Sequence, residues 1–361
     1  MVYRFKFHLA ALFFAIAQIC SSQTDPLTAF SDPASIWGNG IERVIEEAFR
    51  QCFITRIIDG RIMNIRLPFV QDNERDILLE TGWNFFEGGK APPQVLWQVI
   101  EENLNSRDFN EYIAALSSGR EKVFIFDIAQ KRWSVSDDLF DIARMKAGSY
   151  RGLPHRPYVL TSGRGALESD IYNYLYSIGH VGIDCSGFVW FVLCYIGQQG
   201  GVDLGVTLAP VLGFPRGANP ARFAGTAFFN STSSQIISVN DEIRNLRPGD
   251  IILFRNDDGG MAHSAIIQSV DFTRGIIRYL QCTDEAPLLE RGVHESFIYF
   301  NPANAGISLT DRSLQWTQKR FAPFPGEKDS PFSDDGERYR AYGGGRVVRL
   351  RALVPVIERL R

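Results

Sequence analysis

The chain has 361 residues, of which 45% are hydrophobic and 22% charged. That is a globular composition, long enough for one large domain or two ordinary ones. A net charge of −3, without a long block of like charge, argues against nucleic acid as a partner.

Arg4 and Lys6 precede a mainly apolar run from His8 to Ile19, and Cys20-Ser21-Ser22 supplies small residues for cleavage. The pattern predicts a signal peptide over 1–22 and export, to the periplasm or the cell envelope. The apolar run is too short to read as a membrane span, so no stable span is expected once the leader is removed. Lipidation at Cys20 fits poorly, because Ile19 stands where a small residue is wanted. Cys52, Cys185, Cys194 and Cys282 then remain. Their spacing matches no zinc site, and four cysteines in so long a chain do not make a disulfide scaffold. At least one free thiol is expected, and in an oxidising compartment a free thiol calls for a reason.

Residues 23 to about 40 read as a linker. Ile41 to Ile58 is predicted helical, with Ile41, Val44, Ile45, Ala48 and Phe49 at helical spacing. Helical patterns follow over Gln94–Leu104 and Phe109–Leu116, then a strand over Val123–Ile128 and a helix over Asp137–Ala147. Trp83, Phe85, Phe86 and Trp97 could form a ligand face, although such aromatics are usually core. The region 23–150 therefore carries no chemical constellation. Gly148 to Gly165, rich in Gly, Pro and Arg, marks a boundary, and 151–361 is the second region.

A helix over Leu167–Tyr176 leads to the stretch Gly182-Ile183-Asp184-Cys185-Ser186-Gly187-Phe188-Val189-Trp190-Phe191-Val192-Leu193. A small polar turn runs into a segment that is apolar nearly all round, which predicts a buried helix. Asp184 and Ser186 are both good N-caps, and Gly197 with Gly200-Gly201 provides a stop. Cys185 then sits in the first helical turn, where unpaired N–H groups favour the thiolate. A cysteine before an apolar helix is otherwise an ordinary small hydrophobe.

Gln198 to about Asn240 reads as an insertion or extended surface loop, given its Gly, Pro, Ser and Thr content. Strands are predicted over Asp250–Phe254, His263–Val270 and Ile276–Thr283, the last two joined by the hairpin turn Asp271–Gly275. Glu285 to Tyr342 reads as irregular, and Val347–Val354 as a final strand. One helix followed by successive strands is an α+β pattern with an antiparallel sheet.

The hairpin provides His263 with a partner. A three-residue loop places Gln281 opposite His263, and a two-residue loop places Cys282 there. On the return strand Ile277, Tyr279, Gln281 and Thr283 share one face, while Arg278, Leu280, Cys282 and Asp284 share the other. A thiol, an imidazole and a polar residue that orients the ring are what acyl transfer by cysteine requires.

Three segments together, Asp184-Cys185-Ser186-Gly187-Phe188-Val189, then Leu246-Arg247-Pro248-Gly249-Asp250-Ile251-Ile252-Leu253-Phe254, then His263-Ser264-Ala265-Ile266-Ile267, resemble the NlpC-type cell-wall cysteine peptidases. The resemblance covers about 170 to 285. It implies a papain-like α+β core, with the Cys-bearing helix packed on an antiparallel sheet; it leaves an extra N-terminal region outside it, and the insertion at about 198–245 is long for the family. It also implies cleavage of amide bonds in peptidoglycan stem peptides. By position Cys185 resembles the nucleophile, His263 the base and Gln281 the third polar residue, where the family more often has His. Asp184 and Ser186 match residues that help bind a free amine of the stem peptide, and Tyr176 matches an upstream substrate-contacting Tyr. Ser264-Ala265 departs from the commoner Val-Gly. No metal or organic cofactor is implied. Two other readings stay open: another amide or ester hydrolase or acyltransferase on the same fold, and a non-catalytic cell-wall binding protein.

Overall fold

The computed structural model describes residues 40–70, 92–127, 132–146, 158–161, 165–179, 181–212, 220–255, 259–283, 292–318 and 335–361. The expected leader over 1–22, most of the linker, Trp83, Phe85, Phe86 and Asp284 lie outside them. The chain is mixed α+β, and all its paired strands run antiparallel. Gly40 to Arg361 forms a single compact unit. Among the described residues no helix is long and apolar enough to cross a membrane.

The first helix, α1 (Ile41–Arg50), buries the expected stripe Ile41, Val44, Ile45, Ala48 and Phe49. It stops there, short of the predicted Ile58. Phe53–Ile58 is instead strand β1, paired with β2 (Arg61–Arg66). The reason lies in the tip: Asp59 and Gly60 both take positive φ, 52° and 73°. Two such residues make the tight turn whose twist suits a two-residue hairpin. The β-branched run before it prefers a pleated surface.

Helices α2 (Pro93–Leu104) and α3 (Arg107–Ser117) follow as expected, Ser106 capping α3 by accepting the Phe109 amide at 3.1 Å. A small sheet takes the order β4 (Arg132–Ser136), β3 (Val123–Asp127), β5 (Tyr158–Leu160), with α4 (Leu139–Lys146) beside it. Then come α5 (Glu168–Ser177) and the long α6 (Cys185–Gln199). Phe188, Val189, Val192, Leu193 and Ile196 of α6 have no exposed surface. Burial of each such side chain is worth roughly 1.5–3 kcal/mol, so α6 is held on nearly every side.

The segment expected as a loop from 198 to 240 is partly regular. It holds α7 (Leu204–Leu212), α8 (Thr226–Phe229) and β6 (Ile236–Val239). Leu204, Leu208, Phe228 and Phe229 are buried in the core shared with α6. Turn residues dominate its composition, but these apolar positions decide its packing. The stretch from 285 to 342, expected as irregular, contains β10 (Gly292–Tyr299), β11 (Gln315–Gln318) and α9 (Asp335–Arg340). The last strand, β12 (Arg346–Leu350), ends four residues before Val354, which opens α10 (Val354–Leu360) with Pro355 at a first-turn position.

With β7 (Ile251–Arg255), β8 (Met261–Asp271) and β9 (Ile276–Thr283), the main sheet has the order β11-β10-β9-β8-β7-β12-β6. Both its faces are buried. Ile251, Leu253, Ile266, Leu280, Cys282 and Val293 join the core around α6. Ile252, Phe254, Ala265, Ile267, Tyr279 and Trp316 form a second core on the opposite face. The continuous apolar runs in the sequence follow from this double coverage.

Candidate functional site

The turn before α6 is built from both regions of the chain. Ile183 donates its amide to the Pro68 carbonyl at 2.9 Å, and Val70 donates to the Ile183 carbonyl at 3.2 Å. A side chain at Gly182 would come within 2.4 Å of the Pro68 oxygen, so the close approach requires glycine. The buried Cys282 thiol lies 3.1 Å from the Ile183 carbonyl. Asp184 then caps the helix, accepting the Gly187 amide, and Ser186 donates its hydroxyl to the same carboxylate at 3.0 Å. The predicted cap is therefore Asp184, with Ser186 inside the first turn. Both are buried and engaged in this capping. Tyr176 lies near the end of α5, half-buried against the core around α6.

Cys185 is the first residue of α6 and is 9% exposed. Its thiol lies 3.9 Å from the carbonyl of Ala262, the neighbour of His263. Ala262 is an extra residue in the β7–β8 ladder: Phe254 pairs with His263 and Arg255 with Met261. Such a bulge bends a strand and re-aims the side chains next to it. The imidazole of His263 shares a sheet face with the second core and lies tilted against Phe254, ring centroids 5.3 Å apart. Helix α6 covers the other face, so the thiol meets β8 at the end of the strand, at this bulge.

His263 and Gln281 are brought together, though not in the expected register. Gln281 pairs with Ala265, two residues along from His263. The turn is longer than predicted, with Asp271 opposite Ile276. Carried on unchanged, that pairing would place Cys282 and Asp284 on the imidazole's side. A second bulge, at Gln268, removes one residue from the ladder and returns Gln281 to the face of His263. Gln268 is anchored there by donating to the Glu42 carbonyl at 3.0 Å. As a diagonal neighbour, Gln281 places Oε1 2.7 Å from His263 Nε2.

The amide end of Gln281 decides the tautomer. Its Nε2 donates to Ser296 Oγ at 2.9 Å and to Asp335 Oδ2 at 2.8 Å. Oε1 is therefore the end that faces the ring, and His263 Nε2 must carry the proton it accepts. The lone pair is left on Nδ1. Asp335, 1% exposed, also accepts the Tyr279 hydroxyl at 2.6 Å. Directly across from Gln281 stands His294, whose Nδ1 is 2.9 Å from the Gly292 carbonyl.

Asp335, His294 and Ser296 were not anticipated. For β10 a signal existed, since Val293 to Tyr299 is β-prone and short enough for a strand. For Asp335 none did: the long separation from Gln281 is closed only by the tertiary fold.

Both imidazoles are held well below the usual range, at about 4. Burial is the main cause for each. Arg338 adds to it for His263, while the Gln281 hydrogen bond and Asp335 oppose it. Arg66 adds to it for His294. Both rings are neutral in the fold at neutral pH. An unfolded histidine titrates near ~6.5. Below that pH the unfolded chain takes up protons the folded chain refuses, so stability contributed by these rings is present above ~6.5 and lost as pH falls toward 4. Thermal melts should show Tm falling between pH 7 and pH 5, above the ordinary carboxylate range. His294→Gln should flatten that fall, and an unchanged slope would refute the assignment.

The thiols differ in the same way. Burial, aided by Asp203, pushes Cys194 up to about 12, and burial also raises Cys52. None of the four described cysteines is in a disulfide. Iodoacetamide at pH 7.5 is expected to modify Cys185 at least ~10-fold faster than Cys194, since only the thiolate reacts. Equal rates would count against a reactive Cys185.

No protein-family model, curated protein or solved structure matches this chain.

Proposed function

We propose that the protein is an exported cysteine hydrolase with a papain-like core that cleaves amide bonds in peptidoglycan stem peptides. One observation carries the reading. A cysteine at the capped first turn of a buried helix lies against the residue adjoining a histidine whose Nε2 is fixed by Gln281. The likeness of the three motif segments to the NlpC-type peptidases supplies the substrate class.

In this reading the Cys185 proton passes to His263 Nδ1 as Sγ attacks the amide carbon. The oxyanion of the tetrahedral intermediate accepts from the Cys185 backbone N–H, at the positive end of α6. The imidazolium then protonates the leaving amine, the C–N bond breaks and a thioester remains. Water attacks the thioester, His263 takes its proton, and the free carboxylate and the Cys185 thiol are regenerated. Asp184 and Ser186, besides capping, border the nucleophile where a stem-peptide amine would lie, and Tyr176 is assigned to substrate contact. Export rests on the leader over 1–22.

Mass spectrometry of purified peptidoglycan digested by the wild type and by Cys185→Ala tests the proposal. New amine and carboxylate termini within the stem are expected from the wild type alone. Cleavage only of ester or lipid substrates would move the activity to another acyl hydrolase on this site. Turnover of nothing, with unreactive Cys185, would leave a binding protein.

A further inference from the structure

We propose that Asp335 is a positioning residue of this site, holding the Gln281 amide with its oxygen toward His263 and supplying the negative charge that imidazolium formation calls for. The inference rests on the catalytic reading of His263, and goes beyond it by naming a fourth member on a separate element.

The geometry is a chain of three groups. Asp335 Oδ2 accepts Gln281 Nε2 at 2.8 Å, and Gln281 Oε1 meets His263 Nε2 at 2.7 Å. An amide polarised by an anion at its NH2 end is a stronger acceptor at its oxygen. The same Oδ2 also takes the Tyr279 hydroxyl, with Gln318 Nε2 as a third and longer donor at 3.5 Å. A neutral carbonyl at that place would accept the same hydrogen bonds. A carboxylate 1% exposed is nevertheless present. Burying an anion is costly unless it is paired and hydrogen-bonded, and in a dry interior its field reaches the neighbouring ring with little screening.

Arg338, from the same helix as Asp335, and His294, from β10, both disfavour the charged ring. Gln281 favours it through its hydrogen bond, while the Cys185 thiol, on α6, lies against the neighbouring Ala262 carbonyl. Asp335 is thus the anion set against Arg338.

Asp335→Asn separates charge from shape, since one amide oxygen can keep both hydrogen bonds. Titration of the His263 ring nitrogens by ¹H–¹⁵N NMR, on the full chain, should show its pKa falling by roughly one unit, as expected for loss of one near anion. For stem-peptide cleavage kcat at neutral pH should fall roughly tenfold with KM little changed, the mark of an interaction made mainly in the transition state. The double variant Gln281→Glu/Asp335→Asn moves the carboxylate one position closer. It should restore the His263 pKa to the wild-type value or above. An unchanged titration in Asp335→Asn, or no recovery in the double variant, would overturn the inference. The titration needs no substrate. A wild type that cleaves nothing would sink the catalytic reading while the NMR shift still decided whether Asp335 tunes the ring.

Discussion

Cys185→Ala is expected to abolish stem-peptide cleavage, by at least ~10³-fold, because removing the nucleophile of a coupled set forfeits the whole acyl-transfer route. The fold should survive. The change deletes one sulfur from a site 9% exposed, comparable to losing a methyl group and worth roughly 1 kcal/mol. The Asp184 cap, which fixes this turn, does not involve the Cys185 side chain. Two neighbours set the scale. Gln281→Ala should lower kcat by ~10–100-fold and leave KM nearly unchanged, because a neutral amide only orients the ring. Cys194→Ala should retain activity, its thiol lying along the helix body. Rates measured for purified variants on one isolated stem peptide, with a melt of each, decide the matter. Comparable turnover by Cys185→Ala would remove the central claim.

How Gln281 came to be legible is instructive. The hairpin was expected with Gln281 directly opposite His263, and the register is in fact two residues away. A longer turn moved it by an odd number, and the bulge at Gln268 moved it back by one. Side chains alternate with period two, so the net even shift kept Gln281 on the right face. Alternation of Ile, Tyr and Gln in β9 was visible in the sequence. The bulges at Gln268 and Ala262 were not, because nothing local marks them and they are set by what packs on the sheet. The helix at Cys185 was legible for a similar reason: a cap and an apolar run are local signals. Asp335 is the opposite case. Its partners Tyr279 and Gln281 lie more than 50 positions away, so no local period could point to it. The hairpin at Asp59-Gly60 was masked by a helical stripe that happened to continue into a β-branched run.

Arg278→Met is expected to destabilise the protein by about 3–5 kcal/mol, the usual cost of removing one partner from a buried ionic set. Arg278 stands on β9 on the α6 side of the sheet, its side chain 4% exposed. Its Nη1 lies 2.7 Å from Glu46 Oε2 and its Nε 2.6 Å from Glu295 Oε2. The ring of Phe49 lies beneath the guanidinium at 5.3 Å. Methionine keeps much of the volume but removes the cation that Glu46 and Glu295 share, although Glu46 keeps Arg50 at 3.2 Å. An exposed pair makes the control: Arg43 and Glu47 are 3.6 Å apart with side chains 69% and 44% exposed, so Arg43→Ala should cost under ~1 kcal/mol. Urea titration followed by circular dichroism measures both. Glu46→Gln and Glu295→Gln added to Arg278→Met should recover most of the loss, since neutral groups of similar shape carry no unpaired charge. A midpoint for Arg278→Met within ~1 kcal/mol of wild type would mean that the set is dispensable. The consequence reaches the site. Glu46 belongs to α1, in the N-terminal region, and Arg278 stands three residues before Gln281 on the same strand. Gln268, whose bulge selects the face of Gln281, is held by the same helix through Glu42. If α1 sets the register of the β8–β9 hairpin in this way, Arg278→Met should lose activity below its own melting temperature, with Gln281 slipping from His263 before the sheet unfolds.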